Sequence, residues 1–346
     1  MARCAFLSFR LGLADGVSVV ASSWDRALTA RGFDTVTIAG EGPVDRIVGG
    51  LAIDAAEPPT RSELELVLED IDLVVVENLL SIPLNLPTSR VVAETLAGRP
   101  ALLHHHDPPW QRERFAHIDE LPPHDPAWRH VVINKLTQRE MADRGFESTV
   151  IYNGFNVSPP VADRAATRSS LGVGPDEPLL AHPVRAIERK NIPQALHIAA
   201  ELGGTYWLLG QAEDGYDDEL ETHLAQANCR VIHQPAASRA EIYAAADLVL
   251  FPSTWEGFGN PPIEAAIYRK PVVVGTYPVA QEFRDLGFQW LTTDDIEKAR
   301  GFLAKPEDPS HVETLEVNRS LAESHLSFEI MAERLGTLID EAGWTP

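Results

Sequence analysis

Residues 248–274, LVLFPSTWEGFGNPPIEAAIYRKPVVV, narrow the possible folds more than any other part of the chain. Leu248 to Phe251 is a short, wholly apolar run of strand type, ended by Pro252 and Ser253. A loop with two glycines follows. Asn260-Pro261 then reads as a helix cap with proline at the first helical position. Two carboxylates, Glu256 and Glu264, stand with seven residues between them, the first in the loop and the second in the first turn of the helix. Gly257 and Gly259 carry no Cβ, so the backbone amides there can approach a ligand closely. All of this is expected at the carboxyl end of a strand, where open α/β sheets bind their ligands. The stretch suits a polyhydroxylated, phosphate-bearing molecule.

The same alternation runs through the whole chain. Residues 2–9 predict a buried strand. Val17, Val20, Ala21, Trp24 and Leu28 then repeat at helical spacing until Gly32, and 33–39 is the next strand. Apolar runs at 73–76, 101–105, 130–134 and 150–152 continue as strands with helices between them. Between residues 156 and 178 the composition turns to Ser, Pro, Asp, Gly and Arg, with Leu171-Gly172 as a helix stop, and this is the best candidate for a linker. The alternation then restarts with strands at 179–184, 206–209 and 231–232, so the expectation is two similar α/β units in tandem. Phe328, Met331, Leu335 and Leu338 give the last segment an amphipathic face that must pack on something. The dinucleotide fingerprint G-x-G-x-x-G is absent near Gly12 and Gly16, which argues against a nicotinamide oxidoreductase.

Composition excludes several other classes. A chain of 346 residues is long for one core and predicts two domains. The net charge of −22 argues against nucleic acid or an anionic membrane surface as the main partner. No run approaches the roughly 18 apolar residues of a membrane span. Arg3, Arg10 and Asp15 interrupt the first apolar run, so no signal peptide is expected. Cys4 and Cys229 offer no metal spacing and fit a reducing cytoplasm.

Several motifs taken together resemble glycosyltransferase family 4, retaining enzymes of the GT-B fold. They are EGFGNPPIE at 256–264 with the preceding IYAAADLVLFPS, RAIERKN at 185–191, IYNGFN at 151–156, and SFEIMAERL near the end. The resemblance covers most of the chain. It implies two doubly wound Rossmann-like domains facing across a cleft, with the acceptor on residues 1–157 and the sugar nucleotide on 158–325. The terminal segment, 326–346, would pack back on the first domain.

By the same resemblance, Glu256 contacts the donor sugar and Glu264 the ribose hydroxyls, while the backbone of Gly257, Phe258, Gly259 and Asn260 holds sugar and phosphate. Arg185 and Lys190 follow a strand and precede a helix, where fixed cations would stabilise a departing diphosphate. Arg189 reads as an exposed basic turn residue. Gly16 would offer its amide to the phosphate, although Asp15-Gly16 stands where the family has paired glycines, and Gly210 is a further donor-side position. His106 matches the histidine that the family places beside the reacting sugar. Glu77, Asn78, Asp107 and Trp110 are acceptor-side positions.

A three-histidine metal site at 104–106 is not expected, because His105 in a strand cannot share a face with both neighbours. The expectation is therefore a cytoplasmic, metal-independent hexosyltransferase that needs no cofactor beyond its co-substrate, a UDP- or GDP-sugar, and acts on a small molecule or glycoside. Residues 1–157 carry a net charge of −8, which disfavours a membrane-bound acceptor. An epimerase or hydrolase acting on the nucleotide sugar, and a non-catalytic sugar-nucleotide-binding protein, are the alternatives. The base, the sugar, the acceptor and the oligomeric state are not legible.

Overall fold

The computed structural model describes residues 2–13 and 15–346; Ala14, between the strand expected at 2–9 and the helical spacing that begins at Val17, lies outside the described residues. The chain divides into two compact units, Met1–Gly154 with Phe328–Pro346, and Phe155–Ser327.

The first unit is built on β1 (Arg3–Arg10), β2 (Asp34–Glu41), β3 (Arg46–Ile47), β4 (Leu73–Glu77), β5 (Ala101–His105), β6 (Trp128–Val132) and β7 (Ser148–Val150). They form one sheet in the order β3-β2-β1-β4-β5-β6-β7, and every pairing is parallel. Order reverses between β1 and β4, so their carboxyl ends flank a topological switch point. The all-apolar sequence of β4 up to Glu77 follows from this central position, since both faces of a parallel sheet are covered.

One face is covered by the helix Gly16–Ala30, whose Val20, Ala21, Trp24, Ala27 and Leu28 are buried with Met331, Leu335, Leu338 and Ile339 of the terminal helix Phe328–Glu341. The amphipathic tail thus finds its partner in the first unit, against the first helix of the chain. Gly154 permits the approach, because a Cβ there would meet the Met331 side chain at 2.8 Å and the Phe328 backbone at 3.1 Å.

The second unit carries β8 (Leu179–His182), β9 (Thr205–Leu208), β10 (Val231–His233), β11 (Leu248–Phe251) and β12 (Val272–Val274) in the order β10-β9-β8-β11-β12, again all parallel. Its switch point lies between β8 and β11. The loops after these two strands are RAIERKN and the EGFGNPPIE stretch.

Three local expectations need correction. The strand expected at 130–134 runs Trp128–Val132, because Asn134 is the cap of the next helix and its side chain accepts the Thr137 N–H at 2.6 Å. The strand expected at 150–152 likewise falls at Ser148–Val150. The polar segment 156–178 is no simple linker, since it contains the helix Arg164–Ser170. There Arg168 is buried on Asp247 and the carbonyls of Gly174 and Ala245, while Arg164 binds carbonyls at the end of the helix Arg239–Ala245.

Candidate functional site

In the second unit the site is assembled by two loops that meet at the switch point. The 3₁₀ turn Glu188–Lys190 ends on Asn191 in a left-handed conformation, φ 54°. This turn is stitched to the loop after β11: the Thr254 N–H donates to the Arg189 carbonyl at 2.9 Å, and Asn191 donates to the Pro252 carbonyl at 3.3 Å. As a result both basic side chains reach Glu256. Lys190 Nζ lies 2.5 Å from Oε1 and an Arg189 guanidinium nitrogen 2.5 Å from Oε2, and the same nitrogen also donates to the Trp255 carbonyl. Arg189 is therefore not the exposed turn residue that the sequence suggests. The left-handed turn at Asn191 folds the peptide back so that adjacent side chains converge.

Lys190 and Glu256 are both buried. Burial pushes the Glu256 carboxyl up, but the Lys190 and Arg189 cations outweigh it and leave it below the usual carboxylate range. Burial also lowers Lys190, from 10.5 to about 8, and the Glu256 charge offsets only part of that. Lys190 also lies over the Phe251 ring, 5.0 Å from its centroid. Arg185 sits nearer solvent, paired with Glu213 at 2.6 Å, yet close enough for its charge to act on Lys190. Gly210 packs on this turn. A Cβ there would meet the Val184 carbonyl at 2.3 Å and the Arg185 backbone at 2.7 Å, so only glycine lets the two loops approach.

The loop beyond Glu256 is shaped by Gly259, φ 93°, where a Cβ would meet the Tyr277 hydroxyl at 2.6 Å. Gly259 is the cap and Asn260 the first helical residue, one position earlier than Asn260-Pro261 suggests, because only glycine takes this conformation at little cost. The Phe258 side chain is buried against Phe283, ring centroids 5.0 Å apart. Glu264, on the helix Asn260–Ile267, accepts the Tyr243 hydroxyl at 2.6 Å and lies 3.4 Å from Arg239. Tyr243 is fully buried, stacks on Tyr268 at 4.7 Å, and keeps its proton because burial pushes its hydroxyl well up, with the Glu264 charge adding to the effect. Tyr243 falls in the quoted motif IYAAADLVLFPS without a role assigned to it there, and Arg239 lies outside the motifs.

In the first unit, Glu77 ends β4 and pairs in register with His104 of β5. His104 and His106 share the Glu77 face, while His105 faces the other way onto Ser81 and His130. His104 Nδ1 is 3.1 Å from Glu77 Oε1, and His106 Nε2 is 2.8 Å from Oε2. Burial pushes Glu77 up, but the two rings outweigh it and hold the carboxyl at about 2. Burial keeps His104 neutral and pushes His105 well down.

Glu77, His104 and His106 bring three ligand-type atoms within 4.8 Å of one another. Their nitrogen-to-oxygen separations are those of N–H···O bonds. Asn78, φ 61°, accepts the backbone N–H groups of His106 and Asp107 at 3.1 and 3.0 Å. Asp107 pairs with Arg112, and the Trp110 indole donates to Glu140 at 2.8 Å. Gly16 begins its helix behind Asp15, whose carboxylate caps it by accepting the Ser18 N–H at 3.0 Å.

Comparison with known proteins locates this geometry. Residues 163–314 match the family model described as glycosyl transferases group 1. Over 96% of this chain and 98% of the relative, the sequence is 26% identical to a mannosylglucosylglycerate synthase of Thermotoga maritima. Among solved structures, Anabaena HepE, determined with UDP and glucose, superposes with a TM-score of 0.77 at 18% identity over 99% of this chain and 100% of that one. A sucrose-phosphate synthase from Thermosynechococcus elongatus gives 0.73 at 17% identity, covering 99% of each chain. No helix among the described residues is long and apolar enough to cross a membrane. Residues 163–314 thus resemble the group 1 glycosyltransferases, and the whole chain has the α/β GT-B fold of these solved structures.

Proposed function

We propose that this glycosyltransferase belongs to glycosyltransferase family 4 and transfers a hexosyl unit, with retention, from a UDP- or GDP-sugar to a hydroxyl of a small polar acceptor or glycoside. The observation that carries the reading is the buried cluster of Lys190, Arg189 and Glu256 at the switch point, with Arg185 on its exposed side. Three cations beside two carboxylates, Glu256 and Glu213, leave net positive charge for a diphosphate, whose negative charge grows as the glycosidic bond breaks. Glu256 is held ionised below its usual range, which makes it a poor base. The acceptor proton then passes to the departing phosphate oxygen, the arrangement that a retaining front-face transfer uses.

Glu264, oriented by Tyr243, takes the ribose hydroxyls. The amides of Gly257 to Asn260 take sugar and phosphate, Gly210 shapes the diphosphate side, and Gly16 is a further amide donor. In the first unit, His106 serves the transferred sugar, and Asp107 and Trp110 the acceptor. The reaction needs no metal in this reading, because Arg and Lys supply the positive charge. A relative named for a product with mannosyl, glucosyl and glycerate parts supports a small glycosidic acceptor. The test is incubation of the full chain with UDP-glucose or GDP-mannose, each with glycerate or glucosylglycerate, with and without a chelator, and NMR of the product. A new α-linked glycoside formed in the presence of chelator is expected. Free sugar as the sole product with every acceptor would refute transfer.

A further inference from the structure

Glu77 is fully buried, and its two carboxylate oxygens face two imidazoles. Burying an ionised carboxylate is costly unless every lone pair that matters is satisfied. A carboxylate only accepts, so the ring nitrogen facing each oxygen must carry the proton. His104 is then protonated on Nδ1. Its Nε2, buried without a hydrogen-bond partner, is a bare lone pair, and its ring lies stacked on Trp24 at 4.0 Å. His106 carries a proton on Nε2, and in the neutral ring Nδ1 is then the lone-pair nitrogen. The backbone around His106 is held as firmly, because the left-handed Asn78 places one side-chain oxygen on two successive N–H groups. The ring and the peptide of His106 are thus fixed from the end of the neighbouring strand.

We propose that Glu77 and Asn78 are positioning residues for His106, with Glu77 selecting the tautomer in which Nδ1 accepts a hydrogen bond from a hydroxyl. A neutral histidine in this tautomer offers a substrate a lone pair at Nδ1 and no N–H there, so it suits a sugar hydroxyl and not a phosphate oxygen. The same assignment takes Glu77 and Asn78 out of direct acceptor contact, since their side-chain oxygens already serve the His104–Asp107 segment. It rests on the reading of His106 as the residue that serves the transferred sugar.

The test is long-range ¹H–¹⁵N NMR of the full chain labelled at histidine, with His106 assigned by its loss in His106→Asn. Wild-type His106 is expected to be Nε2–H, with or without chelator. In Glu77→Gln one acceptor oxygen becomes an N–H donor beside His104 Nδ1, which lies 3.1 and 3.0 Å from the two Glu77 oxygens, or beside His106 Nε2, so a tautomer change at one of the two rings is expected. With saturating donor, kcat should fall roughly tenfold or more, while nucleoside-diphosphate affinity stays within about twofold. Glu77→Asp, which keeps the carboxylate, should retain the His106 tautomer and part of kcat, and it carries the mutational arm if Glu77→Gln does not fold. His106 found as Nδ1–H, or with metal in place of the Nε2 proton, would overturn the proposal. So would unchanged tautomers and kcat in Glu77→Gln. If the wild-type chain transfers no sugar, the functional reading fails, and the tautomer measurement still decides the role of Glu77.

Discussion

Two buried carboxylates organise this molecule, and they keep opposite company. Glu256 in the second unit lies between Lys190 and Arg189; Glu77 in the first lies between His104 and His106. Glu256 has one nitrogen donor per oxygen, whereas at Glu77 His104 Nδ1 spans both oxygens, at 3.1 and 3.0 Å, and His106 Nε2 shares Oε2 with it. The charge differs. The first trio holds two cations against one anion and has positive charge to offer an incoming diphosphate. The second sets its one anion against two imidazole N–H donors and holds no permanent cation, so it suits fixing an orientation and not binding a phosphate. The same residue type at two strand ends therefore does different work, decided by whether its neighbours are permanent or conditional cations.

The strongest way to break this contrast is to remove the cation of the buried pair. Lys190→Ala should lower kcat at saturating donor on the order of 10²–10³, the typical effect of losing one such donor to developing charge. Arg189 remains to pair Glu256, so the fold should survive, which circular dichroism would check. Full turnover would mean that the charge serving the leaving group lies elsewhere.

A smaller effect separates the trios by pH. Lys190 loses its charge at about 8, whereas Glu77, held at about 2, stays ionised throughout the neutral range. Nucleoside-diphosphate affinity should therefore weaken above about pH 8, by at most about tenfold per unit. Stability should move the other way. Between about 8 and 10.5 the unfolded chain binds the Lys190 proton and the folded one does not, so folding gains with rising pH. Calorimetric titration and thermal melts would show the two opposed slopes, and Lys190→Arg, which cannot deprotonate in this range, should flatten both.

What could be read beforehand follows the physics of each element. The strands β4, β8 and β11 were legible because a central parallel strand must be apolar on both faces. The two-residue β3 at the sheet edge needs no such pattern and left no mark. The helix Arg164–Ser170 showed only its stop, at Leu171-Gly172, because its buried residues are Thr167 and Arg168, the latter satisfied by carbonyls and Asp247 far along the chain. The motif around Glu256 marked a loop that the structure brings against the Glu188–Lys190 turn, but the contact of Arg189 depends on a left-handed Asn191, and that is a backbone choice without a sequence period. The register of Glu77 on His104 joins positions 27 apart, and local patterns carry no information at that range.

The contrast sharpens further at Glu264, a third carboxylate with mixed partners, one phenol and one arginine. Tyr243→Phe removes a hydrogen bond to a charged group, a change of about 1.5–3 kcal/mol where the acceptor must stay oriented. Nucleoside-diphosphate binding should weaken roughly tenfold while kcat at saturation is kept. An equal loss in kcat would place Glu264 in the chemistry and not in ribose binding.

The smallest expected effect tests whether the first unit offers any anion site of its own. Gly16 has no atom within 4 Å of an added Cβ and does not need a positive φ, so Gly16→Ala leaves the backbone unstrained. The start of its helix already carries the Asp15 carboxylate, which accepts the Ser18 N–H and satisfies part of the positive end of the helix. A phosphate drawn to that end would meet a like charge. Donor affinity in Gly16→Ala should therefore stay within about twofold of wild type, since only the amide and not the side chain is at issue. Asp15→Asn keeps the cap and removes the charge, and it should tighten donor binding if the Gly16 amide takes part. No change in either variant would confine donor phosphate binding to the cation-rich trio around Glu256.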